Sequence, residues 1–515
     1  MTKKNKIAIS FYVVIFGALF ILPACNKALD VNSKRMEAEA VAWKSIDDTR
    51  SRLIGVYGLF RAALANNNNY WLWGELREGD FVSTSRTDLN AVINSNLNAS
   101  YPLLEEMRDW RGFYAVINAA NLFIERSGNV VGLDPRYTTL NHEIDVAQVK
   151  ALRAWAYFMM VRIWGNVPLI TNSHDGSFDE RAQTDSEKVL NFCEAELNAA
   201  KDVLPFKYGV AGDPILPGNY YDFGQGRYQN TLISRLAAYA LLAHVSAWRG
   251  NYNDADIYAK FVIDNRTLSS LDYVTTATLT SPSGIFYERG NFKQLLGYNF
   301  VYGHGETGTS GEGHIESWTL AAPLISKPKP DIYVAKTTIN EIFTDPADTR
   351  FGIDTISGLP KTAYFTNYFS ETPVFSKIKV LADGSTNGTF QVYSSAIIFS
   401  RLEEITLLRA EALAVLNKET EAITLLNVIR TRRGLPSYQA GDEKDLTDAI
   451  FEERRRELLG EGWRWYDLIR YNRIKRNDPA FMTLIQNGGI YWPVSSDALA
   501  RNSKLVQNTY WQKAQ

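Results

Sequence analysis

Val149, Leu152, Ala156, Met159 and Ile163 follow one another at steps of three and four, a spacing that an α-helix gathers into one apolar stripe. Gly165 and Pro168 lie just beyond and predict where that helix stops. Thr184-Asp185-Ser186-Glu187 has the pattern of a capping box and predicts a helix start, with Leu190, Cys193 and Leu197 as its buried face. Cys193 therefore reads as a small core residue rather than a nucleophile. Further stripes run through Leu232, Leu236, Tyr239 and Ala243, and through Ile398, Leu402, Ile405, Leu408, Ala412 and Val415. A chain so patterned must bury many helix faces against one another.

Two stripes continue through a tight turn into a second helix. In the first, Gly250-Asn251-Tyr252 makes the turn, and Ala255 and Ala259 allow the helices to approach closely. This is the turn spacing of a tetratricopeptide helix pair. The second pair, Leu402–Arg430, places Ala422 in the same role but has Asn417 and Glu419 where the glycine and the aromatic stand. Segments Asp47–Leu64 and Trp110–Ile124 suggest another pair. Between 265 and 395 Gly, Pro, Thr, Ser, Tyr and Phe dominate and helical periodicity fades. Asp383-Gly384 and Asn387-Gly388 are turn signals there. The expected fold is mainly α: tetratricopeptide-like helix pairs over 41–264 and 396–515, and a loop-rich insertion with short strands over 265–395.

The N-terminus reads as an address. Lys3, Lys4 and Lys6 precede an apolar run over Ile7–Ile21, too short for a helix that needs about 20 residues to span a bilayer. Leu22-Pro23-Ala24-Cys25 resembles a bacterial lipobox, so residues 1–24 are expected to be a cleaved signal. Cys25 is expected to be the lipid attachment point, and 25–40 a polar tether. Loss of three lysines and no acids takes the formal charge from −2 to −5. Such a balance excludes a basic nucleic-acid-binding face.

Two cysteines and five histidines leave little for a metal centre or disulfide framework. Gly303-His304-Gly305-Glu306-Thr307-Gly308 fits G-x-G-x-x-G, but a poor helix former follows, so no phosphate cradle is expected. His304, His314, Glu306, Glu312 and Glu316 share a glycine-rich loop without fixed ligand geometry; a loop over a binding face is the expectation. Glu452-Glu453-Arg454-Arg455-Arg456-Glu457 is the densest charge run, with Glu452 and Arg456 an i,i+4 pair. It reads as a salt-bridged helix inside the fold, and the tryptophans at 463 and 465 as packing residues. The unusual component is aromatic: 12 Trp, 27 Tyr and 25 Phe, more flat surface than a core needs.

Four segments carry a resemblance. Ile450–Arg470, IFEERRRELLGEGWRWYDLIR, resembles the ERR-EL--EG-R--DL-R stretch of the SusD/RagB family. Ala151–Phe158 with Trp164–Leu169 is similar to a second signature. Arg401–Glu404, Arg409–Ala412, Asn427–Arg430 and Arg433–Leu435 together match a third, and Tyr491–Val494 with Gln507-Asn508 the family's ending. The resemblance implies a SusD-like α-superhelix and a lipoprotein on the outer face of the outer membrane. It implies capture of an oligosaccharide and its delivery to a SusC-like TonB-dependent transporter, with no catalysis and no cofactor. Peptide capture on the same scaffold is the alternative reading, and a carbohydrate-active hydrolase stands behind it.

A sugar offers apolar C–H faces and a rim of hydroxyls, which suit aromatic platforms flanked by amides. In the region where family members place binding aromatics stand Tyr298, Tyr302 and Trp318. A second candidate loop over 80–104 carries Asn96, Asn98 and Tyr101. The Asn66–Asn69 run before Tyr70, Trp71 and Trp73 is a third.

Overall fold

The computed structural model describes residues 43–83, 85–173, 180–228, 231–287, 293–301, 313–383, 391–442 and 444–512. Ten longer helices form its frame: α1 (Ile46–Ala65), α2 (Arg111–Arg126), α3 (Thr139–Trp164), α4 (Ser186–Lys201), α5 (Arg235–Arg249), α6 (Tyr252–Asp264), α7 (Leu402–Val415), α8 (Glu419–Arg432), α9 (Leu446–Leu458) and α10 (Arg464–Lys475). Each packs on the next from α1 to α8, and α9 closes over both α7 and α8. This nearest-neighbour file is a tetratricopeptide-like superhelix. None of the described helices is long and apolar enough to cross a membrane.

The local chemistry explains the breaks. Gly250 ends α5 in the left-handed region, φ 80°, where only glycine sits without steric cost. Asn251 then caps α6 by accepting from the Asp254 amide. Between α7 and α8 the same bend uses Asn417 at φ 57°, the next most tolerant residue. Ala255, Ala259 and Ala422 are all fully buried at these crossings. α4 starts at Ser186 as expected, but its cap is Asp185, which accepts from the Glu187 amide. Thr184 instead bridges to Val167. Cys193 is fully buried on α4. α3 departs from a simple amphipathic pattern: from Ala147 to Trp164 only Lys150 is not buried, because other elements cover it on every side.

Among the described residues eight short strands form four antiparallel pairs. β1 (Phe81–Ser83) pairs with β3 (Ile332–Val334), and β2 (Gln294–Tyr298) with β8 (Ile397–Arg401). β4 (Phe365–Thr366) pairs with β5 (Val374–Phe375), and β6 (Leu381–Asp383) with β7 (Gln391–Tyr393). β8 runs straight into α7, so the β2–β8 ladder stitches the loop-rich segment to the helical frame.

The charge run is interior. Arg350, Arg401 and Arg433 all converge on Glu457, with nitrogen–oxygen distances of 3.0, 2.8 and 2.7 Å. Arg401 also meets Glu461 at 2.8 Å, and Lys377 binds the same carboxylate at 2.5 Å. Arg454 joins Asp467 and Glu404. All of these side chains are buried, and the arginines hold the Glu457 carboxyl well below the usual range despite its burial. Trp463 and Trp465 are buried too, as packing residues. Next to them Glu75 accepts the Gly460 and Gly462 amides, both at 2.7 Å.

Candidate ligand-binding groove

Part of the outer face of α1 is open among the described residues. Leu53, Val56, Tyr57 and Phe60 point into the core, while Ile54, Gly55 and Gly58 lie open, Ile54 at 49% exposure. A Cβ added at Gly55 or Gly58 would meet nothing within 4 Å. Glycine inside a helix costs about 1 kcal/mol relative to alanine, and here no packing contact explains it. The open face is one wall of a cavity of about 670 Å³. The other walls are the loop between α4 and α5, with Tyr220, Tyr221 and Tyr228, and the end of β2, with Tyr298 and Asn299.

A buried polar relay fixes the tyrosine wall from behind. Asp145 and Gln148, one turn apart on α3, face the loop. Asp145 accepts hydroxyls from Tyr220 and Tyr221, and from Tyr137 at 3.0 Å. Gln148 donates to the Tyr220 hydroxyl at 2.9 Å and accepts from Tyr57 at 2.9 Å. The Tyr57 hydroxyl in turn accepts the Ile233 amide. Burial pushes the Asp145 carboxyl up to about 7, against the lowering effect of its three tyrosine partners. Tyr221 and Asp222 both adopt left-handed backbone, φ 49° and 64°, closing a tight turn from Tyr220 to Phe223. Two successive left-handed non-glycine residues are strained. The turn sends the Tyr220 and Tyr221 hydroxyls inward to Asp145 and leaves the Phe223 ring outside, between Arg50 and Arg227.

The aromatic wall is rigid and incompletely satisfied. Tyr220 packs edge-on against Tyr221 and Tyr228, with centroids 4.6 and 5.3 Å apart. Tyr298, 6% exposed, stacks on Trp155 at 5.5 Å and meets Phe60 edge-on. Among the described residues the buried hydroxyls of Tyr228 and Tyr298 have no hydrogen-bond partner. Two such groups on residues lining one cavity are unusual, since buried hydroxyls are normally paired.

Of the residues expected from sequence, Tyr298 lines this cavity. Trp318 sits in a short helix, Glu316–Thr319, 7% exposed and packed into the core. Tyr101 precedes the short helix Pro102–Met107 and is half-buried. Asn98 donates to the Trp511 carbonyl at 3.4 Å, so that loop closes against the end of the chain, with Asn96 exposed beside it. These four residues do not line the groove. Asn68 clamps the Gly313 and His314 amides, whereas Asn66, Asn69 and Trp73 border a separate cavity of about 320 Å³. Trp71 is fully buried. His314 is buried with Nδ1 on the Ser395 carbonyl, and Glu316 accepts from Ser395. No group of three metal-ligating side chains occurs among the described residues. Cys25, Tyr302, His304, Glu306 and Glu312 lie outside the described residues. The sequence reading missed the α4–α5 loop; its signal was the density of Tyr, Phe and Gly from Asn219 to Tyr228.

Comparison with known proteins places these features. The SusD family profile matches residues 352–483. A SusD-like protein of Formosa agariphila, P38, is 27% identical over 553 aligned positions, covering 99% of both chains. A laminarin-binding SusD-like protein of known structure shares the fold at TM-score 0.64 and 22% identity, covering 90% of this chain and 99% of its own. A SusD superfamily crystal structure from Bacteroides thetaiotaomicron is 47% identical, with TM-score 0.83 over 91% of this chain and 99% of its own. On that identity and coverage, the chain belongs to the SusD family.

Proposed function

We propose that the protein is a non-catalytic oligosaccharide-binding lipoprotein of the outer membrane. It captures its ligand in the groove along α1 and passes it to a SusC-like TonB-dependent transporter. Residues 1–24 serve as the signal, Cys25 as the lipid attachment point, and 25–40 as the tether. The observation that carries the binding role is the groove itself. Rigid tyrosines stand along one wall, two buried hydroxyls lack partners among the described residues, and the opposite helix face carries Gly58. A sugar ring supplies both the apolar faces and the hydroxyl rim that such walls complement. A relative that binds laminarin and a relative at 47% identity support the class of ligand and the family role. So open a site binds weakly, roughly μM to mM, which suits cargo that must be released.

Affinity electrophoresis through gels containing individual polysaccharides tests this. The wild-type chain is expected to be retarded by at least one glycan, and Gly58→Leu to run free in the same gel. Retardation of both chains alike would place the site elsewhere. Release of sugar products by pure protein would refute the non-catalytic reading.

A further inference from the structure

The groove's charge is one-sided. Arg50, Arg61 and Arg227 line it, and no Asp or Glu does so among the described lining residues. Arg50 and Arg227 both lie over the Phe223 ring, with guanidinium carbons 4.6 and 5.3 Å from its centroid. Such stacking fixes a guanidinium in place without neutralising it. Among the described residues neither has a carboxylate within salt-bridge distance. Arg61 is steadied from the other side, donating to the Asn299 carbonyl at 3.2 Å beside the Phe300 ring.

The nearby acids are engaged elsewhere or face outward. Asp145 lies behind the tyrosine wall with three hydroxyl partners. Asp47 approaches Arg136 at 3.5 Å, and Asp48 caps α1. Asp222 is exposed on the turn beside Phe223. In the interior, by contrast, Arg350, Arg401, Arg433 and Arg454 each meet a carboxylate at 2.7–2.9 Å. A chain that is net acidic thus sets two stacked, uncompensated cations at the mouth of an aromatic groove.

We infer that the groove selects an anionic oligosaccharide, one bearing carboxylate or sulfate groups, with Arg50 and Arg227 receiving the acidic substituents and the tyrosines the sugar faces. Guanidinium forks match carboxylate and sulfate oxygens in pairs, so the arginines give orientation as well as attraction. This rests on the proposed glycan-binding role and narrows it to a ligand class.

Isothermal titration of the folded chain tests the inference with three probes of equal length: an oligogalacturonate, a sulfated galactan oligosaccharide and a neutral β-glucan oligosaccharide. At least one acidic probe is expected to bind tenfold or more tightly than the neutral one. That advantage should shrink at least threefold between about 0.05 and 0.5 M NaCl, as the screening length falls from over 10 Å to a few ångströms. The double variant Arg50→Gln/Arg227→Gln is expected to bring the acidic-to-neutral ratio close to one, with melting temperature unchanged as the folding control. Which acidic probe prevails distinguishes carboxylate from sulfate. Equal or tighter binding of the neutral probe, indifferent to the double variant, overturns the charge inference while leaving the glycan reading intact. Failure of all three probes to bind overturns both.

Discussion

Gly58 offers a test in which stability and binding move in opposite directions. It lies mid-helix in α1, its added Cβ would touch nothing within 4 Å, and it borders the groove. Replacing glycine by leucine inside a helix stabilises by about 0.8 kcal/mol, and by alanine about 1 kcal/mol. A folded chain of roughly 470 residues has an unfolding entropy near 1 kcal/mol/K, so each variant should raise the melting temperature by about 1 °C. Alanine adds one carbon and leaves the groove passable. Leucine adds four into the space a ligand must cross, and an affinity loss of tenfold or more, about 1.4 kcal/mol, is expected. Matched scanning calorimetry at one scan rate reads the first effect, and titration with a retained glycan reads the second. A leucine variant that binds like wild type would show that ligand does not lie along α1. A melting temperature lowered by several degrees would show that the open face is covered in solution.

Other consequences follow from the interior. Glu457→Gln replaces the carboxylate shared by Arg350, Arg401 and Arg433 with a neutral amide and should cost about 3–5 kcal/mol, a fall of roughly 3–5 °C in melting temperature, whereas Glu452→Gln at a half-exposed position in the middle of the same helix should cost less than about 0.5 kcal/mol. Gly462→Ala puts a methyl 2.5 Å from the Tyr70 ring at φ +81°, and should lose about 2–4 kcal/mol in denaturant titration. Asp145 has its carboxyl raised to about 7, so the folded state holds its proton more tightly than the unfolded chain does. Its contribution is therefore fully present below about pH 4 and lost as pH rises toward 7. Asp145→Asn should flatten the fall in stability between pH 4.5 and 7.5; an unchanged slope would show that Asp145 is ionised throughout that range.

The helical frame was legible because its signals are local. Gly165, Gly250 and the Asp185 cap mark ends through backbone chemistry that needs no distant partner. The interior role of Ile450–Arg470 was legible as well, since so many charges beside tryptophans require mutual pairing. The partners themselves were not: Arg350 stands 107 residues from Glu457 in sequence, and no spacing rule links them. The groove was harder still. The sequence reading expected a helix over Asp47–Leu64 without assigning its faces, and periodicity treats a glycine as neutral. The meaning of Gly58 comes from what is missing around it. Tyr298 was identified as a platform because it is aromatic and near a loop, yet one of its faces is occupied by Trp155. Trp318, a large aromatic in a loop-rich stretch, packs into the core, a placement that no local spacing reveals.

The single carboxylate at 457 also orders events in time. A chain made from its N-terminus presents Arg350, Arg401 and Arg433 before their shared counterion exists, with only Asp348 and Glu403 beside them until the segment from 453 to 461 has been synthesised. A premature stop upstream of it leaves these three guanidinium groups short of the carboxylates of Glu453, Glu457 and Glu461 in a place from which water is excluded.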